Sequence, residues 1–261
     1  MAGHQEFPRL VQTPNERLRS LGDQQAHLWW ASPDQFTDQD ELDRYRALLT
    51  DDERQKIAGF RFPADRHRSL ISRVLVRTTL SQYANVPVTR WRFRRNDHDR
   101  PEIASPASEL RFNLSHTRGL VTCLVSRDRE VRVDVEALDR KGRWLELADR
   151  FFAVREAEAL RRIAEPDRLQ RFLEYWTLKE SYIKARGLGL AIPLGDFSFD
   201  LPTTTPDDVR IHIDGTINDH PARWQFGLYS LGKRHLVATA VERKAGTSTQ
   251  IATHEAIGPL A

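Results

Sequence analysis

Several features that mark other protein classes are scarce or missing in this sequence of 261 residues. Its single cysteine, Cys123, excludes a disulfide framework and a CxxC metal site, and it fits a reducing compartment such as the cytoplasm. No apolar run approaches the length that crosses a membrane, and the first 25 residues lack the apolar core of a signal peptide. The formal net charge is only +3 at pH 7, so the overall charge does not indicate a nucleic-acid partner. We therefore expect a cytoplasmic protein with no membrane segment.

The composition is that of a folded chain, with 39% hydrophobic and 30% charged residues. Strand-like and helix-like patterns alternate, and the order of strand, two helices and strands occurs twice along the chain. We predict an α+β fold of two similar α/β halves in tandem with pseudo-twofold symmetry, and a ligand site at the seam between them. The expected divisions are a flexible leader (1–25), an N-terminal half (26–128), a C-terminal half (129–243) and a flexible tail (244–261).

The segment EVRVDVEALDR, residues 130–140, reads as a strand that carries two carboxylates on one face, because Asp134 and Glu136 are two residues apart. One interpretation is an amphipathic strand in which Arg132, on the same face, neutralises a carboxylate. This interpretation is the more common one for an isolated D-x-E pattern. The other is a site for a hard cation such as Mg²⁺, which prefers oxygen ligands and removes the repulsion between the carboxylates.

The segment EYWTLKESYIKARG, residues 174–187, reads as a helix that ends at a glycine. Glu180 and Lys184 are four residues apart, so they share one helical face with Trp176. The pair is either an ordinary exposed ion pair or, since the tryptophan indicates that this face turns inward, part of a site. Lys179 points either toward the same cleft or to solvent.

Other polar segments are unremarkable one by one. Ser115 and His116 in NLSHT could donate to a phosphate, although the segment alone reads as a turn. Residues 53–69 carry a cationic stretch, which is usually a solvated helix face, and Arg100 precedes a proline in a loop. Together with the carboxylates, these cations indicate phosphate chemistry assisted by Mg²⁺.

The ordered set DRP, FNLSHT, VRVDVE, RFF and WTLKESYIKARGLGL closely resembles the 4′-phosphopantetheinyl transferases. The length and duplication resemble the larger, surfactin-synthetase-activating (Sfp) type, and the match runs from about residue 26 to 243. The resemblance implies a monomer that moves the 4′-phosphopantetheine arm of coenzyme A to a serine of an apo carrier protein, with release of 3′,5′-ADP. The implied partners are acyl, peptidyl or aryl carrier proteins of fatty acid, polyketide or nonribosomal peptide synthesis, with no nucleic acid and no membrane.

The resemblance also implies a role for each candidate residue. The implied ligands of Mg²⁺, or of Mn²⁺ in its place, are Asp134, Glu136 and Glu180. Glu180, directly or through a metal-held water, would help to deprotonate the serine, and Lys184 would neutralise or protonate the leaving phosphate. These four residues are the expected catalytic group. The residues expected to bind coenzyme A are Lys56, Ser69, Arg100, Ser115, His116 and Lys184.

Two positions depart from the family pattern. Arg100 stands where members often carry the lysine of a GKP motif; arginine keeps the charge and adds a fork that suits phosphate. Glu53 stands at an early position that is cationic in the family, and Arg54 is the candidate to take over that contact.

Two other classes of protein would account for part of the sequence. A different Mg²⁺-dependent phosphotransferase would need a phosphate-binding loop such as GxxxxGK[ST], which the sequence lacks; the close glycines of RGLGL follow a helix instead of opening one. A non-catalytic module could bind carrier proteins or nucleic acid through the arginines and aromatics of TRWRFRR. That hypothesis leaves the carboxylates unexplained and predicts no metal dependence.

Overall fold

The computed structural model of the chain describes residues 18–97, 99–139, 142–187, 192–201, 209–232, 234–244 and 247–256. Within these ranges the helices are α1 (Gln39–Ala47), α2 (Asp51–Ala58), α3 (Pro63–Ser81), α4 (Trp144–Phe151), α5 (Val154–Arg162) and α6 (Glu165–Arg186). The strands are β1 (Gln25–Ala31), β2 (Arg92–Arg95), β3 (Pro101–Ser105), β4 (Leu110–Thr117), β5 (Leu120–Arg127), β6 (Val131–Ala137), β7 (Phe197–Asp200), β8 (Arg210–Ile213), β9 (Trp224–Leu231), β10 (His235–Glu242) and β11 (Gln250–Glu255). Most of the predicted leader, residues 1–17, lies outside the described residues.

The order of elements repeats. Each half runs through one strand, three helices, a two-stranded hairpin and two further strands. The main sheets have the strand orders β11-β1-β5-β4 and β6-β10-β9. In the first half β5 pairs antiparallel with both β1 and β4, and in the second half β10 pairs antiparallel with both β6 and β9. The predicted α+β class is confirmed, and the repeated order agrees with two similar units in tandem.

Three apolar clusters hold the elements together. The first half packs α3 on its sheet through Leu70, Val74 and Leu75, and the second packs α6 on its sheet through residues that include Phe172 and Leu178. A third cluster draws its members from the β1–β5 pair and the β6–β10 pair, so it joins the two sheets. Strands buried on both faces in this way read as continuous apolar runs, as LVTCLVS does in β5.

In two stretches of the chain, a capped break separates consecutive helices. Residues 32–60 break before α2, where Thr50 Oγ1 accepts from the Glu53 amide (3.3 Å) and the Glu53 carboxylate accepts from the Thr50 amide (3.0 Å). Residues 144–164 break before α5, where the Glu156 carboxylate accepts from the Ala153 amide (3.2 Å). Helix α6 ends at Gly187 as predicted, in a left-handed conformation with φ of 67°.

The predicted flexible tail contains a strand. Strand β11 lies parallel to β1 at the edge of the first half's sheet, so the chain returns to the first half after completing the second. Buried Arg129 ties the residue stretch before β1 to the stretch before β11, since its guanidinium donates to the Asp23 carbonyl (2.6 Å) and to Thr247 Oγ1 (3.1 Å). The short polar stretch QIATHE gives little apolar periodicity, and its pairing with β1 supplies the order instead.

A histidine pair lies where β11 meets β1. The Trp29 indole donates to Tyr83 Oη (2.8 Å), and that hydroxyl is within hydrogen-bond distance of His27 Nδ1 (2.6 Å). His254 of β11 stacks on Trp29 and lies beside His27, with ring centroids 4.7 and 4.8 Å apart. Burial, followed by the nearby His254 and Arg19, lowers the pKa of His27 to about 4.

This depressed pKa predicts acid sensitivity. The unfolded chain binds a proton at His27 as the pH falls through 6.5 and the folded chain only near 4, so the free energy of unfolding decreases between these values. Because the ring is only half-buried, we expect a loss of about 1–2 kcal/mol. Urea denaturation at pH 7 and pH 4.5 would measure this loss. In His27→Gln the free energy of unfolding should change less between the two pH values, and an equal change in the variant would contradict the role of His27.

Candidate functional site

The two halves meet along β4 and β6. Asn113 Oδ1 of β4 accepts from the backbone amide of Val133 in β6 (2.8 Å), and Ser115 Oγ of β4 lies 3.3 Å from Asp134 Oδ1 of β6. All four residues are buried, so these side chains tie one half to the other where solvent is largely excluded. The seam is therefore built from polar contacts as well as from the shared apolar cluster.

Asp134 receives a cation from a third element. Lys184, near the end of α6, pairs with the same Oδ1 atom that Ser115 contacts. The Asp134 side chain is 8% exposed and that of Lys184 is 38% exposed, so the lysine bridges a buried carboxylate and open solvent. Since a buried carboxylate is costly without a partner, this contact fixes the position of the α6 terminus over β6.

The other two predicted metal ligands lie nearby. Glu136 is two residues further along β6 and is half-buried, and Glu180 is one helical turn before Lys184 and is also half-buried. In the part of the chain that the structure describes, no three His, Cys, Asp or Glu side chains gather closely enough to hold a metal ion. The Lys184 ammonium is the cation in contact with Asp134.

Arg132 does not neutralise the D-x-E pair as the amphipathic-strand interpretation supposed. Its guanidinium pairs with Glu130 (2.9 Å) and its Nε donates to the Lys184 carbonyl (2.8 Å). Among described residues the carboxylate paired with Arg132 is therefore Glu130, while Asp134 pairs with Lys184.

A cleft of about 290 Å³ opens beside this contact. The polar side chains that define it here come from both halves: Arg100, Asn113, Arg132, Glu180 and Lys184. Three cations face one carboxylate, so the cleft favours an anionic ligand. It brings predicted residues of both kinds together, since Arg100 was expected to bind coenzyme A and Glu180 to act in catalysis.

His116 lies at the exposed end of β4, where Arg68 of α3 and Lys184 of α6 approach it. Local burial and then these two cations lower the pKa of His116, with Asp65 opposing them, so the ring is neutral at pH 7. Ser69 follows Arg68 on α3 and is half-buried. This end of the seam is therefore also cationic.

Lys56 faces a different cavity. A pocket of about 480 Å³, which we call the arginine pocket, is lined by more cations than carboxylates. The cations come from α2, α3 and β2: Arg54, Lys56, Arg73, Arg77, Arg92, Arg94 and Arg95. The carboxylates are those of Asp51, Asp52 and Glu53. Pro101 lines both the arginine pocket and the cleft, so the two adjoin. The predicted coenzyme A residues thus spread over neighbouring cationic surfaces, and most of the arginines beside Lys56 were missed because WRFRR alone reads as an exposed strand.

Glu53, the acidic departure from the family pattern, has a structural explanation. Besides capping α2 it pairs with Arg77, which is fully buried and donates to the Trp91 carbonyl (2.7 Å). Arg54 pairs with Asp51 and also lines the arginine pocket. Whether Arg54 takes over a ligand contact stays a prediction.

Lys179 points neither to the cleft nor to solvent. Its side chain is 0% exposed, pairs with Glu156 (2.8 Å) and donates to the carbonyls of Leu194 (2.8 Å) and Phe197 (2.6 Å). The ammonium also lies 4.3 Å from the centre of the Phe197 ring. Both sequence interpretations were wrong because this face of α6 is covered by α5 and the segment before β7.

Lys179 should therefore matter for stability. Lys179→Met leaves a buried Glu156 carboxylate without its cation, and we expect the free energy of unfolding to fall by about 3–5 kcal/mol. Adding Glu156→Gln should recover part of the loss, because the unpaired charge is then gone. Urea denaturation of the single and double variants measures both effects; an unchanged midpoint for Lys179→Met would contradict this role.

Comparisons with known proteins agree with this architecture. A family model described as the 4′-phosphopantetheinyl transferase superfamily matches residues 130–240, and one described as 4′-phosphopantetheinyl transferase, N-terminal, matches residues 34–129. The 4′-phosphopantetheinyl transferase HetI of a Nostoc species is 34% identical over 199 residues, which are 76% of this chain and 81% of the relative. The 4′-phosphopantetheinyl transferase Sfp of Bacillus subtilis is 31% identical over 180 residues, 69% of this chain and 74% of the relative. A phosphopantetheinyl transferase of Thraustochytrium is 30% identical over 214 residues, 77% of this chain and 73% of the relative.

The chain belongs to the 4′-phosphopantetheinyl transferase superfamily. It is an enzyme that transfers the 4′-phosphopantetheine arm of coenzyme A to a serine of a carrier protein and releases 3′,5′-ADP, which confirms the predicted family and activity. Among the helices of the described residues, none has both the length and the apolar character needed to span a membrane.

Proposed function

We propose that the transfer takes place at the seam, with Asp134, Glu136, Glu180 and Lys184 as the catalytic group and Mg²⁺ as the metal ion. The observation that carries this proposal is the contact of Lys184 and Ser115 with one oxygen of buried Asp134. Three elements from both halves converge there, beside a cationic cleft that suits the phosphates of coenzyme A.

The chemistry of the donors fits a magnesium ion. Asp134, Glu136 and Glu180 offer carboxylate oxygens only, which Mg²⁺ prefers, with phosphate oxygens completing its shell. Mn²⁺ has similar preferences and would replace it. When bound, the ion would stabilise negative charge on the diphosphate of coenzyme A. Lys184 then serves as the counter-ion of Asp134 in the metal-free protein.

Glu180 and Lys184 of α6 would divide the proton transfers. Glu180 lines the cleft and is half-buried, so its carboxylate could accept the proton of the carrier serine, directly or through a water. Lys184, released from Asp134, would neutralise or protonate the leaving phosphate of 3′,5′-ADP. Their spacing of one helical turn keeps base and acid on one face.

Coenzyme A would lie along the connected cationic surfaces. Arg100 faces the cleft, Ser115 and His116 are on the seam strand, Ser69 is on α3, and Lys56 faces the arginine pocket. The half-buried Arg73 and exposed Arg94 of that pocket make no hydrogen bond or ion pair with other described residues, so their guanidinium groups are available to phosphate.

The partners would be apo acyl, peptidyl or aryl carrier proteins. We propose that the chain acts on them as a monomer, because the contact of Lys184 with Asp134 and the cleft beside it are formed within one chain. The single cysteine accords with the reducing cytoplasm, and no part of this account requires a nucleic acid or a membrane.

Incubation with coenzyme A, Mg²⁺ and an apo carrier domain should add the mass of one phosphopantetheine group, measured by intact mass spectrometry. Asp134→Asn and, separately, Glu180→Gln should lower kcat/KM by about 100-fold or more, since the first removes a proposed metal ligand and the second removes a proposed ligand and the proposed base. Glu174→Gln is the matched control: Glu174 is on the same helix but pairs with Arg171, and its variant should keep full activity. EDTA should abolish transfer and Mg²⁺ should restore it.

Two results would overturn this proposal at different levels. A wild-type protein that modifies none of several apo carrier domains would contradict the transfer reaction in this chain. A folded Asp134→Asn or Glu180→Gln variant with full activity would contradict the metal and base assignments alone.

A further inference from the structure

One carboxylate holds two arginines that line the cleft. Glu130, just before β6, accepts from Arg100 Nη1 (2.6 Å) and Arg132 Nη1 (2.9 Å) with the same oxygen, Oε2. Arg100 comes from the first half and Arg132 from the second. Burial opposes ionisation of Glu130, but the hydrogen bonds and charges of these arginines outweigh it and lower its pKa. These three side chains alone carry one surplus positive charge, and the nearby Glu102 also acts on Arg132.

Arg132 is held firmly on one edge and left open on the other. Its Nε donates to the Lys184 carbonyl (2.8 Å), and Nη1 donates to the Val131 carbonyl (2.7 Å) as well as to Glu130. Nη2 makes no hydrogen bond to any residue that the structure describes, and the side chain lines the cleft. The rigid guanidinium therefore presents unused N–H groups to the ligand space.

Arg100 shows the same pattern. Its Nη1 is taken by Glu130, while its Nε is buried and has no hydrogen-bond partner within the described ranges. The side chain is only 12% exposed and lines the same cleft. A buried donor without a partner is costly in the free protein, and a bound oxyanion could supply the missing acceptor.

These contacts imply a ligand instead of a purely structural ion group. Two arginines share one carboxylate in a poorly hydrated place, and Glu102 acts on Arg132 through its charge without a hydrogen bond among the described residues. Planar guanidinium groups with free N–H edges match the oxygens of a phosphate group. Lys184, tied to Arg132 through its carbonyl, lines the same cleft and would approach the same ligand.

We propose that Arg132 is a further coenzyme A-binding residue, which forms with Arg100 a two-arginine clamp on a phosphate group of coenzyme A. Glu130 keeps the two guanidinium groups side by side. This inference rests on the proposed site at the seam. The chemistry it names is a phosphate oxyanion, which belongs either to the diphosphate or to the 3′-phosphate of the substrate.

Calorimetric titration of coenzyme A, without metal, into the wild type and Arg132→Gln tests the clamp. Loss of the charged fork should weaken binding by about tenfold or more. In the transfer assay the KM for coenzyme A should rise by a similar factor, while kcat and the KM for the carrier change little. Arg132→Lys keeps the charge but loses the forked guanidinium group. Its affinity for coenzyme A should lie between those of the wild type and Arg132→Gln.

Arg129→Gln is the matched control for folding. Arg129 is a buried arginine three residues away. Its guanidinium donates to the carbonyls of Asp23 and Glu242 and to the hydroxyls of Thr247 and Thr249, none of which lines the cleft. Its variant should lower the melting temperature but leave the dissociation constant for coenzyme A unchanged. If Arg129→Gln and Arg132→Gln both weaken coenzyme A binding in proportion to their loss of melting temperature, the clamp is overturned.

Dephospho-coenzyme A, which lacks the 3′-phosphate, distinguishes the two phosphate sources. If Arg132→Gln weakens binding of coenzyme A but not of the dephospho form, the clamp holds the 3′-phosphate; if it weakens both equally, the clamp holds the diphosphate. Unchanged binding of coenzyme A by folded Arg132→Gln overturns the clamp alone. A wild type that binds neither compound overturns the proposed site, and the clamp with it.

Discussion

A carboxylate buried between two halves of a protein needs a cation, and this requirement at Asp134 organises the seam. Ser115 approaches from the first half and Lys184 from the last turns of α6, and both contact one oxygen of Asp134. The contact holds β4, β6 and α6 in fixed relation. It also keeps a replaceable cation where a metal ion would bind. One interaction thus joins the halves in the free protein and, on the proposed mechanism, becomes the reaction site when ligands arrive.

Hydrogen-bond partners distinguish buried ion pairs whose donors are all satisfied from ion pairs that leave donors beside the cleft. Lys179 is fully buried and all three of its donors have partners, namely Glu156 and two carbonyls. Lys184, five residues later, is partly exposed and pairs with one carboxylate at the edge of a cleft. The same contrast distinguishes Arg129, whose contacts tie the stretch before β1 to the stretch before β11, from Arg132, which keeps free N–H groups facing the cleft. Unused donors beside a cavity, rather than charge alone, indicate a ligand.

The sequence predicted what depends on short-range patterns. Alternation gave β6 with Asp134 and Glu136 on one face, and a glycine ended α6 where expected. The α+β class followed from the repeated order of elements. Features set by partners distant along the chain were not predictable: β11 is ordered by pairing with β1, and the burial of Lys179 depends on Glu156 and the segment before β7. From the strand pattern, one interpretation paired Arg132 with Asp134 or Glu136. In the structure its partners are Glu130 and the Lys184 carbonyl at the end of α6.

The exchange of cations at Asp134 is the central claim, and a crystal structure with coenzyme A and Mn²⁺ tests it most directly, since the manganese anomalous signal locates the ion. The account predicts a single manganese peak bounded by Asp134, Glu136 and Glu180, with Lys184 moved from Asp134 to a phosphate oxygen. A structure with coenzyme A bound in which Lys184 still pairs with Asp134, and no manganese lies at the three carboxylates, would contradict it.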